Sequence, residues 1–171
     1  MRTNVLRMDE LNISFDELRE LAKSEPHNPR LDNDFALGRY CLWADKMQHD
    51  FMRHITHRTE PDDFHFEQHG LIYMSYWYGA LYVVVEGWQK LNLTDPEIDS
   101  LLQSPYVDLL RRYRNGVFHF QRKFHDERFW NLMLAGREAV EWVSQLHRAF
   151  RRYFMALFAA RKKARTAQGA R

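Results

Sequence analysis

The sequence predicts an all-α protein, an up-and-down bundle of four to five main helices. Three observations carry this. Apolar residues recur at three- and four-residue steps along most of the chain. Glycine and proline are scarce, 7 and 5 in 171 residues with no proline after Pro105, which favours helices over a turn-rich β fold. Capping boxes at Ser14-Phe15-Asp16-Glu17 and Thr94-Asp95-Pro96-Glu97 mark two helix starts. Helices with one apolar stripe bury it against one another, and a bundle is the simplest way to do so.

Residues 1–13 give no clear pattern. Ser14 opens a short helix to about Lys23, with Phe15, Leu18 and Ala22 as its stripe, and Glu25-Pro26 and Asn28-Pro29 end it. Residues 1–32 thus read as an N-terminal extension of a single helical domain covering 1–171. A long helix follows from about Asp34 to His57. Ala36, Tyr40, Trp43, Met47, Phe51 and Ile55 form its expected core stripe. His49, His54 and His57 also lie on it. Asp50, His54 and His57 share a face, yet no Glu-x-x-His pair of the ferritin-like kind occurs anywhere, so a solvated helix face is the favoured reading and no metal site is expected.

Thr59 to Asp63 is a loop that can extend to His69, with Phe64 and Phe66 pinning it. Leu71 to Val85 carries no charge, too short a run for the roughly 20 residues of a membrane span. It reads as the central helix, apolar on most sides. Met74, Trp77, Leu81, Val84 and Trp88 form one stripe, and Tyr73, Tyr76, Ala80, Val83 and Gly87 a second. Glu86 closes it, either as a boundary residue reaching water or as a buried partner for an arginine. A short helix begins at Thr94, and another opens at Ser104-Pro105 with Val107, Leu110 and Tyr113 inward. The final helix should run unbroken from about Asp126 past Ala160, its stripe including Phe129, Leu132, Gly136, Ala139, Val143 and Leu146. Residues 164–171 read as a basic frayed tail.

Cys41 is the lone cysteine, which excludes an intramolecular disulfide and fits a reducing compartment. Met1-Arg2-Thr3-Asn4-Val5 shows no signal-peptide core, so a cytoplasmic location off the membrane is expected. The net charge of +2 is unevenly spread. Residues 1–110 hold 10 Lys/Arg and 19 Asp/Glu, whereas residues 111–171 hold 15 and 4. That split provides either a cationic face for a polyanion or halves that neutralise one another.

The chemistry concentrates in Arg111-Arg112-Tyr113-Arg114-Asn115-Gly116-Val117-Phe118-His119. Gly116 is a poor helix-interior residue, so a break is expected there. Side chains five apart on an unbroken helix point about 140° away from each other, and a break would let Arg114 and His119 turn toward one pocket. A guanidinium can fork onto phosphate oxygens and hold charge that grows in a transition state. An imidazole can move a proton near neutral pH. Asn115 can orient the attacking hydroxyl or donate to the phosphate. This phosphodiester chemistry requires no metal and no cofactor. Beyond it, Gln121-Arg122-Lys123-Phe124-His125 interleaves cations with aromatics, as RNA-binding loops do. Arg111, Arg112, Arg122, Lys123 and His125 are the candidate RNA contacts. The bland readings are a helix C-terminus whose arginines complement the macrodipole, a core His119 and an ordinary connecting loop.

Arg114-Asn115-Gly116-Val117-Phe118-His119 resembles the signature of the HEPN family, an Arg with a polar residue right after it and a His four to six residues on. The resemblance implies an all-helical bundle and a metal-independent endoribonuclease that uses the RNA 2′-hydroxyl as nucleophile and leaves a cyclic phosphate. It also implies a homodimer whose two motifs meet at the interface. Bacterial members are toxins or antiphage effectors, which makes an antitoxin protein a further expected partner. In one subgroup a Tyr stands two residues after the His and is adenylylated. Gln121 stands there in this chain, which speaks against that control. The alternative reading is a non-catalytic module of the same kind that binds nucleotide, RNA or a partner protein.

Overall fold

The computed structural model describes residues 29–57 and 64–169. Among these it contains six helices and no strand. They are α1 (Pro29–Thr56), α2 (Phe64–Lys90), α3 (Pro96–Leu101), α4 (Tyr106–Phe118), α5 (Glu127–Leu134) and α6 (Arg137–Gly169). The protein is an all-α helical bundle. Its contacts divide the chain into two units, Met1–Ala36 and Leu37–Arg171. Of the first, residues 29–36 are described and form the first turns of α1. The helix expected at Ser14–Lys23 and the loop at Thr59–Asp63 lie outside the described residues. No helix among them is long and apolar enough to cross a membrane.

The second unit is built on α2 and α6. The first expected stripe of α2 supplies Trp77, Leu81, Val84 and Trp88 to the core, while Tyr76 of the second stripe stays half-exposed. So α2 is less thoroughly enclosed than its charge-free sequence implies. From α6 come Val143, Leu146, Phe150 and Phe154, among others. The indole of Trp88 meets Phe150 and Tyr153 edge-on, with ring centroids 5.4 and 4.8 Å away. Its N–H donates to Asp99 of α3 at 3.1 Å, so the ring is buried without stranding its polar atom. Trp142 does likewise, donating to the carbonyl of Leu101 at 3.0 Å.

The stripe expected on α1 is rotated in the structure. Leu37, Cys41 and Ala44 are buried, whereas Trp43 is 47% exposed with the Arg39 guanidinium 5.6 Å from its ring centre. Close packing selected the small residues. A Cβ on Gly38 would strike the ring of Phe158, and one on Gly87 would strike Leu37. Large aromatics of α1 are left at the edge, where a cation–π contact covers them.

The last helix is interrupted. Glu127–Leu134 and Arg137–Gly169 are separate because Gly136, expected within the stripe, adopts φ +82°. That left-handed conformation ends one helix and re-aims the next. α6 then continues to Gly169, through most of the tail expected to fray. At α3 the cap is Asp95, not Thr94. Its carboxylate accepts from the N–H groups of Glu97 and Ile98 at 3.1 and 3.2 Å, and Asp99 accepts from the Asp95 N–H at 3.1 Å. Arg152 of α6 clamps the same turn, 2.6 Å from Asp95 and 3.0 Å from Glu97.

Candidate functional site

α4 presents the Arg-Asn-x-x-x-His segment. Ser104 Oγ accepts from the Tyr106 N–H at 3.2 Å and starts the helix. Leu110 and Tyr113 then anchor it in the core, with Tyr113 stacked on Phe129 of α5 at 5.0 Å and its hydroxyl 3.0 Å from Ser75 of α2. Burial pushes the Tyr113 phenol up, so it serves as a neutral hydrogen-bonding group.

The break expected at Gly116 does not occur. α4 passes through it and ends at Phe118. The missing side chain serves packing instead. A Cβ there would lie 3.1 Å from the backbone nitrogen of Phe129 and 3.4 Å from the Arg128 carbonyl carbon. α4 and the start of α5 therefore touch almost backbone to backbone. Phe118 closes the helix by placing its ring where a Cβ of Gly79 on α2 would be, edge-on to Tyr76 at 5.8 Å.

Arg114 consequently remains on the helix. It is half-buried, and its positive charge acts on the buried phenol of Tyr82. That phenol is nonetheless raised, first by burial and then by Glu86. His119 is the first residue past the helix, extended at φ −119°, ψ 135° and exposed. It is thus not a core histidine. No hydrogen bond joins Arg114 to His119 among the described residues. Asn115 is bonded to both. Its side-chain oxygen accepts from Arg114 Nη1 at 3.1 Å, and its backbone carbonyl accepts from the His119 N–H at 3.2 Å. The Arg114 Nε is buried and has no hydrogen-bond partner among the described residues.

The remaining cations differ in freedom. Arg111 is held by Asp108 at 2.6 Å, the partnership its spacing suggests. Arg112 lies 4.0 Å from Glu127. Arg122 and Lys123 are exposed and form no ion pair among the described residues. His125 sits between Phe124 and Trp130, at 4.9 and 6.0 Å. Glu86 is a boundary residue accepting from Lys90 at 3.2 Å, and it makes no ion pair with Arg114. His54 and His57 of α1 share a face as expected, lining one cleft with Asp50, Arg53 and Tyr73. His57 bonds the Arg53 carbonyl at 2.7 Å, while His54 packs edge-on to Tyr73 at 5.8 Å. Among the described residues no three His, Cys, Asp or Glu side chains come together as metal ligands.

Two arrangements escaped the sequence pattern. The first is a strap behind His119. The Gln121 amide donates to the carbonyls of Asn115, at 3.2 Å, and of His119. Its oxygen accepts from Arg128, which also grips Asp126 at 2.8 Å. The Arg128 hydrogen bonds hold the Asp126 carboxyl at about 2. Nothing in the sequence flags a glutamine that bonds backward.

The second is a buried polar cluster. His147 on α6 accepts at Nδ1 from the Trp77 N–H, 3.0 Å away, so its own proton is on Nε2. That nitrogen faces Asp45 Oδ1 at 3.7 Å, beyond hydrogen-bond reach. Arg151 Nε lies 3.3 Å from the same oxygen. Burial, aided by Arg151, lowers His147 to about 3, so the His147–Asp45 contact is not an ion pair. Burial also raises Asp45, against the pull of Arg151 and His49, and raises the Cys41 thiol beside it. A histidine four residues after Val143 and before Arg151, on a buried face, was the available signal.

Comparison with protein-family models, with curated proteins and with solved structures finds no match for this chain.

Proposed function

We propose that the protein is a HEPN-type, metal-independent endoribonuclease acting as a homodimer in the cytoplasm, a toxin or antiphage effector in the bacterial setting and there restrained by an antitoxin. The observation that supports this reading best is that Asn115 accepts from the Arg114 guanidinium while His119 stands exposed just past the end of the same helix. A scissile phosphate beside Asn115 would have Arg114 on its oxygens and His119 at the attacking or leaving oxygen. His119 of one copy takes the proton from the 2′-hydroxyl as the O2′–P bond forms. His119 of a second copy gives a proton to the 5′-oxygen as the P–O5′ bond breaks. The products are a cyclic phosphate and a 5′-hydroxyl. Phe118 of the segment and Tyr76, edge-on to it, are large, half-exposed apolar side chains that a second copy would cover.

The test is cleavage of a mixed RNA pool in EDTA. The wild type should yield cyclic-phosphate ends, and Arg114→Ala or His119→Ala should lower the rate roughly 10²- to 10⁴-fold. Variants that cut as well as the wild type end the nuclease reading. The second reading, a non-catalytic module that binds RNA, nucleotide or a protein, is favoured by the missing hydrogen bond between Arg114 and His119. Salt-dependent RNA binding without cyclic-phosphate products would select it.

A further inference from the structure

The α4–α5 junction carries a feature that the phosphodiester scheme does not use. Behind the strap lies a cleft of about 390 Å³ lined by Arg112, Lys123, His125, Asp126, Glu127 and Arg128. Its carboxylates are unequal. Asp126 is occupied by Arg128 and by the N-cap of α5, whereas Glu127 meets Arg112 only at 4.0 Å. An exposed pair at that distance contributes little, so Arg112 can turn to a better acceptor. Lys123 lines the cleft, its charge acts on Asp126, and it forms no ion pair among the described residues.

Beside the cleft stand two bare aromatics. Phe120 is 93% exposed and Phe124 is 88% exposed, the latter touching His125 of the cleft wall. Leaving whole phenyl rings in water forgoes the apolar burial that an aromatic side chain normally contributes. The loop from His119 to His125 places Arg122 and Lys123 between these rings and contains no carboxylate. An apolar protein partner would cover the rings but bury two unpaired cations, which is costly. A polyanion that also carries flat aromatic faces satisfies both.

We propose that this junction is a single-strand nucleic-acid subsite: a backbone phosphate enters the cleft against Arg112 and Lys123, and the adjoining unpaired base stacks on Phe124. It deepens the ribonuclease reading by specifying how the strand is held away from the cut, and it rests on that reading only for the identity of the natural strand. Unpaired is required because a duplex keeps its base faces stacked on one another, leaving none for Phe124.

Binding is tested with a fluorescent single-stranded DNA of about 12 nucleotides. It lacks the 2′-hydroxyl and so cannot be cut by the proposed route, which separates this test from that of the nuclease. Anisotropy titrations of the full chain from 50 to 200 mM salt should show the single strand binding at least about tenfold tighter than the matching duplex. Phe124→Ala should weaken the single strand by about tenfold with the salt slope unchanged. Lys123→Ala should reduce that slope by about one for both ligands. The Phe124→Ala protein should keep the wild-type melting temperature, since the ring is exposed. Equal affinity for strand and duplex, or an unaffected Phe124→Ala, overturns the subsite. So does failure to bind either DNA together with an oligomer that dissociates when Phe120 and Phe124 are replaced, which makes the loop a protein interface. Binding as expected by a protein that cuts no RNA leaves the subsite standing and removes the nuclease.

Discussion

His147 is the group through which mild acid should reach the core. In the folded protein its imidazole titrates at about 3, against an ordinary value of 6.5. The folded state therefore refuses a proton that the unfolded chain accepts. Stability from this group is intact above pH 6.5 and is lost as pH falls toward 3. The loss amounts to roughly 2 kcal/mol between pH 7.5 and pH 5, approaching about 1.4 kcal/mol for each further pH unit. Three groups face the imidazole or its partner. The Arg151 guanidinium lies 3.3 Å from Asp45, and His49, one turn on along α1, acts on the same carboxyl. Asp45, raised by burial, acts in the opposite sense, because the folded state takes up its proton first and gains stability as pH falls. The clean measurement is a difference. Urea unfolding of the wild type and of His147→Gln at pH steps from 7.5 to 5 cancels the groups they share. The wild-type advantage should shrink by about 2 kcal/mol over that interval. Parallel curves would refute the reasoning, as would an imidazole NMR resonance that titrates near pH 6.5 in the native protein.

Further outcomes follow from single contacts. Gly116→Ala should destabilise by about 1–2 kcal/mol in urea despite the better helix propensity, because the 3.1 Å neighbour is backbone and cannot swing aside. Gly136→Ala should lose about 1 kcal/mol by the same assay for a different reason: space is open there, but φ is +82°. Gly136→Asn should recover part of that loss, since asparagine tolerates this region. Asp95→Ala removes both the α3 cap and an Arg152 partner, and thermal unfolding should report a loss of about 1 kcal/mol.

The helical character and the core face of α2 were legible because Trp77, Leu81, Val84 and Trp88 repeat at helical spacing and large apolar residues go inside. α1 misled for a physical reason. Periodicity ranks residues by hydrophobicity, whereas the closest helix contacts at Gly38, Cys41 and Ala44 are made by small ones. Glycine carries the same ambiguity. Gly116 and Gly136 read alike, yet one permits backbone contact inside a helix and the other supplies a positive φ between two helices. Which role applies depends on the element packed against it, and that lies far along the chain. In the candidate site, spacing singled out Arg114, Asn115 and His119, but the helix break expected between them at Gly116 does not form. The Gln121–Arg128–Asp126 strap was not, since it rests on backbone carbonyls exposed only where α4 ends.

The ring of Phe118 occupies a slot that exists only because Gly79 has no side chain. Such a wedge makes the last turn of α4 a fixed post. Gln121 then lashes the chain just past it to the Asn115 and His119 carbonyls and to Arg128 on the next helix, so the exit from α4 is fastened on two sides. Arg114 and the backbone of His119 thus share one frame, and the exposed His119 side chain is the part left to turn.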